Sequence, residues 1–315
     1  MDNQELPPDS SDLEPKLNKA EALNRTFEAV IPRFDALKEE FFSPPSADLE
    51  VFCQKAEEAK KDWQVDSPEE KLIVDCFLGI PTQAKMIEEK RRLDLSPKKT
   101  PGVKIGFLKE KERVGTTHQI NMVQADWQIK CAQLIRALDE HPKQRQIIST
   151  LWHTAKEILI QQFPESGEKK YINWRRGVTN LTAVTRIIEK LGLSYEFPTP
   201  EQDAIDKIDL LIIHQGEKEN MRPGIVALQL KSDSKLKYSD EWPLENQRTN
   251  KREGREYQKL KMATFSLGRK YQLKVHPLKL TIPVIKADFT TGAFKEEKPL
   301  QEYFDRTIQE LLARK

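Results

Sequence analysis

Two short apolar stretches decide the fold of this chain: IDLLII at residues 208–213 and IVALQLK at residues 225–231. They are joined by a turn-rich loop that ends in Arg-Pro-Gly at residues 222–224. Stretches of this length that are rich in Ile and Val and bounded by Gly and Pro are typical of strands buried on both faces. The sequence therefore predicts an α/β unit built around two adjacent, covered strands.

Three polar residues, Asp209, Gln229 and Lys231, occur where a buried strand should carry none. Because side chains alternate along a strand, Gln229 and Lys231 share a face, and an adjacent strand can bring Asp209 opposite them. Carboxylate and amide oxygens suit Mg²⁺, which takes one or two protein carboxylates, several waters and a substrate phosphate. A lysine beside the ion would orient the attacking water and offset charge in the transition state. The cluster predicts metal-assisted hydrolysis of a phosphodiester.

The order of these residues, an Asp, an apolar strand, a loop and a strand ending in Gln-x-Lys, resembles the PD-(D/E)xK nuclease superfamily. Restriction endonucleases, junction resolvases and repair nucleases belong to it, and residues 178–290 follow its order of helix, three strands, helix and strand. The chain departs from the pattern at Ile208, in place of proline, and at Gln229, in place of an acidic residue. A Gln-x-Lys site is similar to that of the Mrr-like branch, and it can equally mark a core that has lost metal binding.

The resemblance implies a restriction-endonuclease-like mixed sheet flanked by helices in the C-terminal half, beside a mostly α-helical N-terminal domain. It implies that Asp209 and Gln229 bind Mg²⁺, for which Mn²⁺ could substitute, and that Lys231 is the catalytic lysine. The implied activity is a Mg²⁺-dependent DNA endonuclease of restriction or repair type. A structural ion pair between Asp209 and Lys231, with Gln229 bonded to a backbone group, is the alternative from the residues alone.

A helix that precedes the strands supplies a further ligand candidate. Apolar residues recur at helical spacing over residues 181–191, with Thr179 or Asn180 as the predicted N-cap and Gly192 just past the end. Glu189 lies beside this apolar stripe, where the first core helix of the superfamily often carries an acidic residue that reaches the metal. A solvated helix residue is the ordinary explanation of Glu189.

An acidic loop follows the first predicted strand, residues 194–197. This loop, residues 199–207, contains Asp203 and Asp206, either of which could supply a second carboxylate. We rank Asp206, three positions before Asp209, as the ligand candidate of the two. A flexible acidic loop is the more ordinary interpretation.

Downstream of the second strand the chain turns basic, with tyrosines and a tryptophan between the cations. Such a composition beside a metal site suits a phosphate backbone, and the predicted DNA-binding residues are Lys235, Lys237, Arg248, Lys251, Arg252 and Arg255. Residues 248–271 are predicted to form an amphipathic helix whose tyrosines belong to the core. A solvated face balanced by Glu245, Glu253 and Glu256 explains the same charges. A strand over 278–285, placed at an edge by its proline, and a final helix over 300–311 complete this half.

The N-terminal half is predicted to be mostly helical. Residues 1–20 are predicted to be a disordered tail, residues 21–165 a helical domain, and residues 170–315 the nuclease-like domain. Ser67, followed by proline, is a typical helix start, whereas residues 101–108 are predicted to form a small hairpin. No catalytic constellation occurs in this half, which could mediate homodimerisation or bind a protein partner while the other half binds DNA.

Composition limits the remaining options. The 315 residues are 37% hydrophobic and 32% charged, and no apolar run approaches the ~20 residues that span a bilayer. An acidic start without a secretory signal predicts a cytoplasmic protein without a membrane partner. Three cysteines without paired spacing indicate reduced thiols rather than a zinc site. Residues 1–50 carry 12 acidic and 5 basic side chains, whereas residues 171–315 carry 20 and 26, so nucleic acid contact is favoured in the second region.

Three functions remain open from the sequence. The first is the Mg²⁺-dependent DNA endonuclease. The second is a catalytically inactive nuclease-fold protein that binds nucleic acid or serves as a scaffold. The third is a helical adaptor whose α/β half only mediates oligomerisation. Metal-dependent nicking and salt-sensitive retention of DNA distinguish the three.

Overall fold

Helices dominate the first 190 residues. The computed structural model describes residues 13–43, 48–95, 106–216, 221–233, 251–283, 286–294 and 296–313. In this part of the chain the helices before the sheet are α1 (Leu13–Phe42), α2 (Leu49–Lys61), α3 (Pro68–Leu78), α4 (Ile80–Leu95), α5 (Gly106–Ala137), α6 (Gln144–Gln162) and α7 (Gly167–Lys190). None of the described helices combines the length and apolarity needed to cross a membrane.

The helical half has a core centred on aromatic side chains. The Trp127 ring lies 6.1 Å from that of Trp152 and 5.1 Å from that of Trp174, so α5, α6 and α7 meet at one point. Trp127 Nε1 donates to the Cys76 carbonyl oxygen on α3 at 3.0 Å, which satisfies the one polar atom of a buried indole. Ser67 caps α3 as predicted, since its Oγ accepts from the Glu70 N–H. Cys53, Cys76 and Cys131 are free and buried, as expected for reduced thiols.

Helix α7 belongs to both halves. Its first turns place Tyr171 and Trp174 in the helical core, and its last turns place Val184 and Ile188 against the sheet. The predicted N-cap at Thr179 or Asn180 is therefore wrong, because the helix begins at Gly167. The hydroxyl of Thr179 donates to the carbonyl four residues back, which lets the helix continue through this position.

The C-terminal half contains a four-stranded mixed sheet. The strands are β1 (Ser194–Glu196), β2 (Leu210–His214), β3 (Gly224–Asp233) and β4 (Val275–Pro283), and they lie in the order β1-β2-β3-β4. The first three strands pair antiparallel, whereas β3 and β4 are parallel. The connection between the parallel pair carries α8 (Lys251–Tyr271), and α9 (Glu297–Leu312) follows β4. The coarse α/β prediction is confirmed, and β4 is an edge strand as Pro283 suggested.

Both faces of the central strands are covered, as the apolar stretches predicted. Leu210, Val226 and Leu228 pack on one face in a cluster that includes residues of α7 and α9. Leu211 and Ala227 pack on the other face against α8, in a cluster completed by Leu260, Ala263 and Leu267, with Tyr257 and Tyr271 beside it. The tyrosines of α8 are thus core residues. Any polar side chain on this second face lies between the sheet and α8.

Two boundaries in the N-terminal half differ from the sequence prediction. Helix α1 begins at Leu13, within the stretch 1–20 that was expected to be disordered, and residues 1–12 lie outside the described part. The hairpin predicted over 101–108 is contradicted at its second strand, because α5 begins at Gly106. Pro and Gly at 101–102 suggested a turn, but Phe107 and Leu108 belong to the long helix, and residues 101–105 lie outside the described part.

A buried carboxylate ties three elements of the helical half together. Asp75 on α3 is 3% exposed, and its oxygens lie 3.3 Å from Lys60 Nζ, 3.1 Å from Lys71 Nζ and 3.2 Å from Lys130 Nζ. Burial alone would raise the pKa of Asp75, but the three ammonium groups outweigh it and hold the pKa below its ordinary value. The carboxylate is therefore more stable in its charged form in the folded protein than in the unfolded chain.

Replacing Asp75 by alanine is expected to lower the free energy of unfolding by about 2 kcal/mol at neutral pH, because three partly exposed lysines lose their shared partner. Since the folded pKa is depressed, this contribution is present above the ordinary pKa and disappears as the pH falls through the folded pKa. Urea unfolding at neutral and acidic pH measures it. Asp62→Ala, at an exposed pair 3.8 Å from Arg33, is the control and should change stability by under about 0.5 kcal/mol. An Asp75 effect that grows in acid would contradict the argument.

Candidate functional site

Asp209 immediately precedes β2 and is hydrogen-bonded to β3. Its backbone N–H donates to the Leu228 carbonyl at 2.7 Å, and its Oδ2 accepts from the Leu230 N–H at 2.5 Å. Leu210 pairs with Leu228, so continuing the register by one residue places Asp209 opposite Gln229. The side chain is partly exposed. One carboxylate oxygen is thus fixed by the backbone of the neighbouring strand.

Gln229 is a buried amide without a partner for its oxygen. The side chain is 1% exposed, and its Oε1 accepts no hydrogen bond from the described residues. Alternation along β3 puts Gln229 on the face of Ala227 and Ile225, which is the face that α8 covers. Leaving such an acceptor buried and unpaired costs about 1–3 kcal/mol. The position is therefore one where a ligand that takes an oxygen donor would be stabilising.

Lys231 lies two residues further along the same face of β3. Its side chain is 44% exposed, and its Nζ lies 3.7 Å from an Oε2 of Glu256, which reaches across from α8. The three residues singled out from the sequence therefore share one face and one end of the β2–β3 pair. Gln229 is enclosed, Asp209 is only partly exposed, and Lys231 is open to solvent.

A second carboxylate reaches this cluster from the loop before β2. Asp203 lies in a π-helical turn, Gln202–Asp206, which ends at Lys207 with a left-handed φ of 66°. Burial and the charge of Asp209 raise the pKa of Asp203, and Lys207 and Lys231 oppose that rise. Burial also raises the pKa of Asp209, against the Leu230 hydrogen bond and the same two lysines. The two carboxylates thus share one electrostatic environment, and a cation between them would relieve their repulsion.

The ranking of Asp206 as the second ligand is not supported by this geometry. Burial raises the pKa of Asp206, and the charges that act on it are those of Glu201 and Lys259, so it belongs to a different cluster from Asp209. Asp203 and Asp206 belong to the same π-helical turn, but the charge of Asp209 acts on the pKa of Asp203 and is not among the causes that shift the pKa of Asp206. A loop sequence has no periodicity from which this difference could be read.

Glu189 is also placed away from the cluster. It forms an ion pair with Arg136 of α5, and α7 packs on the face of the sheet opposite to the one that carries Gln229. The structure therefore places Glu189 apart from Asp209 and Gln229, and its role as a metal ligand stays a prediction. Arg136, on α5 of the N-terminal half, neutralises the charge of Glu189. This contact joins distant segments of the chain, so sequence spacing does not reveal it.

Two residues that sequence reasoning passed over belong to this site. Lys279 of β4 pairs in register with Gln229 and is 5% exposed, so it extends the polar row across three strands. Glu256 was treated as part of a solvated face, but it is largely buried and holds Lys231. The signal for Lys279 was present, since it is a charged residue inside the apolar strand LKLTI, the same criterion that identified Gln229.

Half of the six predicted DNA-binding residues lie outside the described part of the chain. Lys235, Lys237 and Arg248 lie outside the described residues, while Lys251 and Arg252 belong to the first turn of α8. Arg255, one turn on, is exposed. Arg255 is therefore the member of this group that the structure shows open to solvent.

The donor set fits a hard divalent cation. It comprises the carboxylate of Asp209, the unpaired amide oxygen of Gln229 and the nearby carboxylate of Asp203, all oxygen donors. Within the described residues no group of three His, Cys, Asp or Glu side chains could hold a metal ion. Two carboxylates and an amide leave the remaining positions of an octahedral shell to water and substrate, as Mg²⁺ prefers. Comparisons of the chain with protein-family models, curated proteins and solved structures found no match.

Replacing Gln229 by methionine is expected to raise the free energy of unfolding in EDTA by about 1 kcal/mol, because methionine keeps the length but leaves no oxygen unpaired. The same change should abolish any stabilisation by Mg²⁺. Gln83→Met is a matched control, since Gln83 is another buried glutamine whose Oε1 lacks a partner among the described residues, but it lies in the helical core. Urea unfolding with EDTA or Mg²⁺ measures both effects. A Mg²⁺ response that survives in Gln229→Met would exclude this amide as a ligand.

Proposed function

We propose that this protein is a Mg²⁺-dependent DNA endonuclease of the PD-(D/E)xK type, acting in restriction or repair, with a restriction-endonuclease-like C-terminal half. One observation carries the proposal: the buried oxygen of Gln229, which has no partner among the described residues, lies in register with Asp209, and Lys231 follows on the same face at the solvent edge. A structural ion pair needs no unpaired oxygen at its centre. An ion-binding site needs an oxygen that is free to coordinate the ion.

Each residue of the site would have a separate role. Asp209, Gln229 and Asp203 would hold Mg²⁺, which when bound supplies Lewis-acid activation of the scissile phosphate. The Leu230 N–H fixes one oxygen of Asp209, so its carboxylate is oriented before the ion arrives. The Lys231 ammonium would orient the attacking water and offset charge on the phosphate in the transition state. Glu256 holds that ammonium near the strand end when substrate is absent.

The charge of the site supports a phosphate substrate. The site holds three lysines, Lys207, Lys231 and the buried Lys279, and three carboxylates, Asp203, Asp209 and Glu256, so a bound divalent ion would leave the cluster net positive. A cationic cluster at the solvent edge of a sheet attracts a polyanion rather than a neutral substrate. The exposed Arg255 on α8 adds to the same sign of charge.

The alternative is a catalytically inactive nuclease-fold module that binds nucleic acid. It is favoured by Gln229 itself, because an amide in place of a carboxylate lowers the charge available to hold a cation. In that case Lys231 would serve only as a phosphate contact.

Nicking of supercoiled plasmid DNA tests the proposal. We expect conversion of supercoiled to open-circular DNA in Mg²⁺ or Mn²⁺ and none in EDTA, with purified full-length protein. Retention of DNA without nicking in either metal would overturn the endonuclease and favour the inactive module. Absence of both activities would favour an adaptor role.

A further inference from the structure

A second basic feature lies in the helical half, between α4, α5 and α7. The three helices enclose a groove of about 410 Å³ whose walls carry Lys90 and Arg91 from α4 and Lys170 from α7. Gln124 of α5 and Asn173 of α7 add amide groups, and no carboxylate of the described residues lines the groove. Three cations and two neutral hydrogen-bonding side chains thus face one space.

The groove differs from its surroundings in how its charges are balanced. Elsewhere on α4, Lys85 lies 2.7 Å from a Glu50 oxygen and Arg92 lies 3.1 Å from a Glu88 oxygen. Lys90 instead donates to the amide oxygen of Asn121 at 3.1 Å, and neither Lys90 nor Arg91 forms an ion pair with a described residue. Most cations of the described helices before the sheet form ion pairs, so Lys90 and Arg91 are among the minority without a carboxylate partner in the described part of the chain. Their charge is available to an anion from outside.

The lining of the groove favours an extended polyanion. Ile87 and the core residue Trp174 line the groove beside its cations and amides, so the space combines apolar surface with positive charge. Lys170, the lining cation from α7, has its ammonium 5.2 Å from the centre of the Phe163 ring. Cations from two helices, α4 and α7, that line one space together with amide side chains suit consecutive phosphates of one strand.

We propose that this groove binds the phosphodiester backbone of DNA, in a sequence-independent manner, as a second contact beside the candidate metal site. This inference rests on the proposed function, which supplies DNA as the ligand. Helix α5 connects the two regions, because it forms one wall of the groove and also packs against the π-helical turn that carries Asp203. DNA held in the groove is thus held by the element that contacts the site.

The test is a DNA titration with full-length protein in EDTA, so that cleavage plays no part. The groove variant Lys90→Gln, Arg91→Gln, Lys170→Gln is compared with a control variant of equal charge change at exposed positions elsewhere, Arg25→Gln, Lys61→Gln, Lys298→Gln. Fluorescence anisotropy of two unrelated labelled duplexes is followed at several salt concentrations. We expect the groove variant alone to lose affinity by on the order of 10- to 100-fold, with a salt slope reduced by about 2–3. Both duplexes should respond alike.

The outcomes separate this inference from the proposed function. If the wild type nicks plasmid but the groove variant binds DNA as the wild type does, the inference fails and the endonuclease stands. Groove-dependent binding without nicking supports the inference and removes the endonuclease. Equal losses in the groove and control variants would show a nonlocal charge effect and overturn the groove, as would complete displacement of DNA by a mononucleotide or inorganic phosphate. Absence of DNA binding by the wild type at low salt would overturn both.

Discussion

Lys231→Ala is expected to reduce the rate of Mg²⁺-dependent nicking by a factor on the order of 10²–10⁴ while leaving DNA affinity unchanged. The ammonium is at the solvent edge, held by Glu256, and would act on the attacking water and the phosphate only as charge develops. Removing an interaction that is made only in the transition state lowers the rate constant at saturating DNA and leaves the affinity unchanged. Single-turnover nicking at saturating protein, beside anisotropy in EDTA, separates the two quantities.

Lys261→Ala is the matched control for this effect. Lys261 is an exposed lysine on α8, and its substitution removes the same charge from the same half of the protein. Its substitution should leave the nicking rate close to that of the wild type. If both variants lose the same rate, Lys231 contributes only general positive charge, and the assignment of a catalytic lysine is refuted.

Asp209→Asn is expected to eliminate detectable nicking and to remove the stabilisation of the fold by Mg²⁺. Asparagine keeps the size of the side chain and an oxygen that can accept from the Leu230 N–H, so the loss would report the missing charge rather than a disturbed strand. For a Kd of about 1 mM, Mg²⁺ at tenfold excess would stabilise the wild type by about 1.4 kcal/mol, and this increment should vanish in the variant. Thermal or urea unfolding with and without Mg²⁺ measures it.

Asp206→Asn serves as the comparison three positions upstream. Asp206 responds to Glu201 and Lys259 rather than to Asp209, so its substitution should retain both nicking and the Mg²⁺ increment. The opposite pattern, with Asp206 essential and Asp209 dispensable, would return the second ligand to the position that the sequence favoured and would refute the site geometry described above.

The sequence revealed the sheet and the polar row because strand periodicity is a local property. Alternation alone places Gln229 and Lys231 on one face, and two adjacent apolar stretches place Asp209 opposite them. Lys279 was detectable by the same criterion. Two covered faces also follow from the absence of polar alternation in IDLLII.

The remaining parts of the site depend on contacts that local patterns do not encode. Asp203 reaches Asp209 through a π-helical turn, a conformation with no repeat to read. Glu189 forms an ion pair with Arg136, which lies 53 positions away in the chain. The start of α7 was placed too late because threonines in the middle of the helix satisfy their hydroxyls on the preceding turn, so they did not act as caps.

The shared helix α7 has a consequence for how this protein can be divided. A fragment that starts after α6 would expose Tyr171 and Trp174 to water. The complementary fragment would lose the same aromatic side chains from its core. The sheet-bearing half is therefore not an interchangeable module that could be transplanted at the short loop before Gly167. Inheritance of the two halves as a single unit is what this architecture favours.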